Sequence, residues 1–136
     1  MSKIIIFTND LGGVSVCVPI GGVPIEQVQS DDIPSGAQSY IVERSALPEN
    51  ADDFFNAWEQ TNGVVTVNFD KAKGLAKERL RAERAPLLSA QDVLFQRALE
   101  NGADTAAIIA EKKRLRDITD LADACTTLAE LRALHC

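Results

Sequence analysis

Hydrophobic residues follow two different periods along this chain. Ile4, Ile5 and Ile6 sit in a short run, residues 3–8, whose β-branched side chains favour a strand. Asn9-Asp10-Leu11-Gly12-Gly13 supplies the polar and glycine residues of a tight reversal. Residues 14–18 then read Val-Ser-Val-Cys-Val, a period of two that turns the valines one way and Ser15 and Cys17 the other. Together these segments predict a β-hairpin, ended by Pro19, which has no N–H for a ladder. Pro24 can open a short helix over 25–28, residues 40–42 predict a third strand, and 64–69 a fourth. Between them the sequence predicts a loop at 31–36, a turn at 46–50 around Pro48, and an Asn62-Gly63 turn. Asp52 or Asp53 can cap a short helix carrying Phe54, Phe55 and Trp58, with Phe54 and Trp58 on one face.

Beyond residue 70 the period becomes helical. Ala72, Leu75, Ala76 and Leu80 recur at helical spacing, and after Ala85 the stripe resumes through Leu87, Leu88, Leu94, Phe95, Ala98 and Leu99. Asp70 is placed to cap this helix. Pro86 interrupts it, because an interior proline removes one hydrogen bond and crowds the carbonyl four residues earlier. Either one helix is kinked near Arg84, or two abut, the second opening at Ser89-Ala90-Gln91-Asp92. The immediate return of the apolar stripe favours one kinked helix. Asn101-Gly102 supplies a C-terminal stop, and Asp104 or Thr105 starts another helix with Ile108, Leu115 and Ile118 on one face. So short a connection makes the two helices antiparallel neighbours. Thr127-Leu128-Ala129-Glu130 is a capping box for a last helix bearing Leu128, Leu131 and Leu134. The expected fold is α+β. A small N-terminal mixed αβ unit with a β-hairpin (1–69) precedes a C-terminal helical hairpin and a short terminal helix (70–136).

Charge divides at the same place. Residues 1–69 carry two basic groups, Lys3 and Arg44, against nine acidic ones, a net of −7; residues 70–136 carry twelve against eleven, a net of +1. Apolar residues make up 46% of the 136, enough for a packed core rather than a disordered chain, and aromatics only 5%, so that core is aliphatic. No stretch reaches the roughly 18–20 apolar residues that span a bilayer, and no membrane span is expected. The run after Lys3 is too short for a signal peptide, which points to a soluble protein made in a cytoplasm. The basic runs at 77–84 and 112–116 are interleaved with acids, so nucleic acid is not an expected partner.

Chemistry-bearing motifs are sparse. The glycine pairs Gly12-Gly13 and Gly21-Gly22 lack dinucleotide-binding spacing, and Asp31, Asp32, Asp52 and Asp53 lack calcium-loop spacing. Cys17, Cys125 and Cys136 lie far apart, with no CxxC pair; Cys17 and Cys125 sit in core-like patterns and Cys136 is an expected terminal thiol. The only histidine, His135, lies in a terminus expected to fray. No catalytic residue, cofactor site or metal site is expected, and the chain does not read as an enzyme. The surface with most to offer is the first long helix, where Leu80, Leu87, Leu94 and Leu99 form a candidate interface rimmed by Arg79, Arg81 and Arg84. For each leucine, burial within the chain is the competing reading.

Several phrases resemble a known family. Tyr40-Ile41-Val42-Glu43-Arg44-Ser45-Ala46-Leu47-Pro48, followed by Phe55-Asn56-Ala57-Trp58, is similar to a segment of small tail proteins of tailed bacteriophages. Arg79-Leu80-Arg81-Ala82-Glu83-Arg84-Ala85-Pro86-Leu87-Leu88, Arg97-Ala98-Leu99-Glu100 and Lys113-Arg114-Leu115-Arg116-Asp117-Ile118-Thr119 follow in the family's order. Thr127-Leu128-Ala129-Glu130 stands where the family has its closing phrase. The resemblance covers residues 38–134, and the chain departs from it at Gln91, where leucine is expected, and in the acidic segment 49–53. It implies a structural component of the phage tail (tip, baseplate or fibre-associated), made in the bacterial host cytoplasm and located in the virion tail. Its implied partners are other tail proteins and, in the particle, further copies of itself. The alternative is a tail assembly chaperone that binds unassembled subunits and is absent from the mature virion; inhibition of a host protein is a further possibility. The family carries no catalytic residues.

Overall fold

The computed structural model describes residues 2–49 and 51–136. Its two compact units meet between Ala72 and Lys73, a little beyond the expected boundary at 69/70 and inside a helix. The expected turn at 46–50 includes Asn50, outside the described residues; its first residue, Ala46, ends a 3-10 turn, Arg44–Ala46.

In the first unit, β1 (Lys3–Thr8) lies between β2 (Val14–Cys17) and β3 (Ser39–Glu43) and runs antiparallel to both. This position explains three consecutive isoleucines. A central strand covered on both faces buries successive side chains, and Ile4, Ile5 and Ile6 are all buried. Cross-strand partners share a face: Ile5 pairs with Cys17 and Ile41, Ile6 with Val16 and Tyr40, and Ile4 with Val42. The Ile5 face is covered by α1 (Ile25–Asp32), twice the length expected, whose buried Val28 lines one hollow with Cys17. Cys17 itself is only half-buried there.

The opposite face is covered by an antiparallel pair, β4 (Trp58–Thr61) and β5 (Val64–Val67). Trp58 lines a hollow with Ile4 and Val16, and Gln60 Nε2 donates to Thr8 Oγ1 at 2.8 Å. The connecting Asn62-Gly63 turn has φ of 52° and 84°, the left-handed pair that a two-residue hairpin requires. A Cβ at Gly63 would also come within 3.2 Å of the Tyr40 ring. β4 is not among the elements the sequence predicts. The segment before it, Asp52–Ala57, is a 3-10 helix, so Phe54 and Trp58 do not share a helical face. Both are buried all the same, and Trp58 Nε1 donates to the Ala51 carbonyl at 3.1 Å.

The second unit is helical. α2 (Phe69–Glu100), α3 (Ala106–Ala124) and α4 (Leu128–Ala133) follow in order. The cap of α2 is Asn68, not Asp70: Asn68 Oδ1 accepts the Lys71 N–H at 3.1 Å, and Asp70 lies in the first turn. Phe69 thus opens the helix instead of closing the strand. α2 runs unbroken through Pro86, and no second helix starts at Ser89. Proline leaves the Ala82 carbonyl without its usual donor, and Pro86 and Ala82 both lie on the exposed surface, open to water. α4 begins at the expected box, shifted on one side: Glu130 N–H donates to Thr127 Oγ1, while the Glu130 carboxylate accepts from the Thr126 N–H.

Candidate protein-interaction surface

Cross-links between α2 and α3 run in opposite directions along the two helices. Lys77 meets Asp123 at 2.7 Å, Arg84 donates to the Arg116 carbonyl at 2.8 Å, and Lys112 meets Asp92 at 2.6 Å. The pair is therefore an antiparallel hairpin, as the short connection requires. Its two halves are built differently. The inner half holds the buried side chains Ala76, Leu80, Leu115, Ile118 and Ala122, joined by Leu131 of α4 and Cys125. From residue 81 to residue 114 no side chain is buried. In that outer half Leu87 is 42% exposed, Leu94 45%, Leu99 59% and Ile109 52%.

The leucine stripe explains the change. Leu80, Leu87 and Leu94 are seven residues apart and so share one face of α2. Leu80 is fully buried, because α4 and the residues after it lie alongside. Arg79 donates to the carbonyls of Leu131 at 3.0 Å and Leu134 at 2.7 Å, and Cys136 Sγ lies 3.5 Å from the Leu80 carbonyl. One heptad further out nothing in the unit reproduces that cover. There the clasp between helices is a cation: Lys112 Nζ, besides meeting Asp92, lies 5.1 Å from the Phe95 ring centroid.

Three residues of the expected interface are therefore engaged within this unit. Leu80 is core. Arg79 donates to carbonyls at the end of α4, where a helix C-terminus leaves acceptors open, and Arg84 reaches across to the carbonyls of Leu115 and Arg116 in the middle of α3. Neither guanidinium is a rim charge. Leu87, Leu94, Leu99 and Arg81 remain on the surface. Ile109 joins them, although the sequence pattern did not single it out; its place next to Ile108, off the Ile108–Leu115–Ile118 face, was the only signal.

The C-terminus is tied down rather than frayed. His135 Nδ1 lies 3.0 Å from Glu83 Oε1, and the Cys136 N–H donates to Glu83 Oε2 at 3.3 Å. The His135 hydrogen bond, helped by the Cys136 amide, holds the Glu83 carboxyl below its ordinary value of 4.5. A carboxylate depressed in the folded state stabilises above its ordinary value and loses that contribution as pH falls through the depressed one. The Glu83 carboxyl carbon should therefore titrate by NMR with a midpoint below 4.5, and the Cys136 amide shift should follow it. A midpoint at or above 4.5 contradicts the contact.

Among the described residues, no helix is long and apolar enough to cross a membrane. Comparisons with known protein families, with known proteins and with solved structures return no match.

Proposed function

We propose that this chain is a structural component of a bacteriophage tail and acts through protein–protein contacts made by the outer half of its helical hairpin. The observation that carries the reading is the uncovered leucine stripe. Leu80 is sealed by α4, whereas Leu87 and Leu94 on the same face stand nearly half exposed. Two half-exposed leucines a heptad apart on one helix face give a partner protein apolar side chains to cover. The ordered resemblance of residues 38–134 to small tail proteins supplies the kind of partner, other proteins of the tail.

A second reading draws on the same exposure. A tail assembly chaperone also needs an open apolar face, to hold subunits before assembly. Mass spectrometry of purified particles separates the two. A structural component is present in finished virions at a fixed ratio to the other tail proteins; a chaperone is found in infected-cell lysate and not in the particle.

A further inference from the structure

We infer that the open edge of β2 docks an extended, basic segment of another protein, which adds to the three-stranded sheet as a further strand. The site belongs to the first unit and does not depend on the outer hairpin. Hydrogen bonding fixes which groups of β2 are open. The Asn9 N–H donates to the Gly13 carbonyl at 2.9 Å, and in an antiparallel pair every second residue then faces its partner in the same way. Ser15 and Cys17 therefore commit their backbone groups to β1, opposite Phe7 and Ile5. Val14, Val16 and Val18 point theirs outward. Val14 is buried, so the open stretch begins at half-buried Val16 and continues through Val18, which is 50% exposed. Among the described residues nothing takes the N–H or C=O groups of Val16 or Val18. The opposite edge of the sheet is partly closed, because Gln29 Nε2 donates to the Ser39 carbonyl of β3 at 3.4 Å.

A hollow flanks this edge on each face of the sheet. On the Ile5 face, a space of about 270 Å³ is lined by Cys17, buried Val28 and the exposed Ile20 and Val23. On the Ile4 face, a space of about 500 Å³ is lined by Val16, Leu47 and Trp58. Val18 borders both. Side chains along a strand alternate between faces, and directly opposed residues share one. A segment bonded to Val16 and Val18 thus sends the side chain opposite Cys17 toward the first hollow and its two neighbours toward the second. Backbone bonds hold a strand added in this way, and the hollows select its side chains. Apolar walls on both faces call for consecutive apolar residues.

The rims fix what flanks those residues. Asp31 and Asp32 border the first hollow and Glu49 and Asp52 the second, with Arg44 the one cation at either. All five are exposed, and among the described residues none of them is in an ion pair. Four open carboxylates against one guanidinium leave the rims at a net of −3, within residues 1–69, whose net is −7. Basic residues on either side of the apolar stretch complement that charge.

NMR titration of the whole chain with an end-blocked synthetic peptide, Lys-Lys-Val-Ile-Val-Lys-Lys, tests this. The peptide should bind with a Kd of about 100 µM or tighter. The Val16 and Val18 amide signals should move, and their hydrogen exchange should slow at least roughly tenfold. Proline in place of the peptide's isoleucine keeps its charge but removes a strand donor, and should weaken binding at least roughly tenfold. D31K/D32K alters two exposed side chains at the end of α1, where cations suit the helix dipole, so it should fold with unchanged circular dichroism. It should bind the lysine peptide at least roughly tenfold more weakly and prefer a peptide with glutamates in place of the lysines. No binding at about 1 mM, equal binding of the proline peptide, or indifference to D31K/D32K overturns the inference. So does a dimer of the free chain in which the Val16 and Val18 amides are already protected, since a second copy would then cover the edge.

Discussion

Leu80→Ala should destabilise the helical unit by about 3 kcal/mol, while Leu87→Ala, one heptad along the same stripe, should cost about 1 kcal/mol or less. The two leucines have the same chemistry and the same helix face. They differ only in cover: Leu80 is fully buried beside α4, and Leu87 is 42% exposed. Removing a buried leucine side chain loses its transfer free energy and leaves a cavity, whereas truncation at Leu87 loses part of the first and creates none of the second. In a unit of this size a loss of about 3 kcal/mol is a large part of the whole stability. Urea denaturation followed at 222 nm reads both, as a large drop in midpoint for L80A and a small one for L87A. Equal drops would mean that the outer stripe is packed within the chain.

Trp58→Ala should cost the first unit about 3–5 kcal/mol. The indole is almost wholly buried where β4 crosses the Ile4 face of the sheet, its ring centroid is 4.9 Å from that of Phe55, and its Nε1 donates to the Ala51 carbonyl. Trp58→Phe separates the two contributions. It keeps most of the apolar surface and removes the donor, so its cost should be nearer 1–2 kcal/mol, from the smaller ring and the lost hydrogen bond, since the Ala51 carbonyl keeps the Phe54 N–H. Chemical denaturation by circular dichroism measures both variants, since fluorescence is lost with the only tryptophan. A cost below about 1 kcal/mol for W58A would contradict burial of this side chain.

The elements that could be read in the sequence were those whose pattern is local. Three isoleucines in a row and a Val-Ser-Val-Cys alternation announce a strand and its partner, and helical spacing carries through Pro86 because the stripe on either side stays in phase. β4 was legible in principle: Asn62-Gly63 before a β-branched run is a strong hairpin signal, and a hairpin needs a strand on both sides. Trp58 was drawn instead into a helix by its spacing from Phe54. At Asn68 two local rules competed. Val65, Val67 and Phe69 alternate like a strand, yet Asn68 is the better cap, and the helix took Phe69.

What could not be read depends on residues far apart in sequence. Glu83 holds the C-terminus from 52 positions away, and Arg79 reaches the end of α4. No local pattern distinguishes an arginine that binds distant carbonyls from one that rims a surface. For the same reason, Leu80 and Leu87 look alike until α4 is in place.

The contact role of the outer hairpin is tested most directly in the particle itself. Phage or prophage carrying L87Q/L94Q/L99Q in place of the native chain can be purified, and the variant chain counted by quantitative mass spectrometry against the other tail proteins. All three positions are exposed, so the variant should fold with a native denaturation midpoint. It should nonetheless fall by at least roughly tenfold in the particle, as the loss of apolar interface anchors implies. A folded triple variant incorporated at the native ratio would contradict the account.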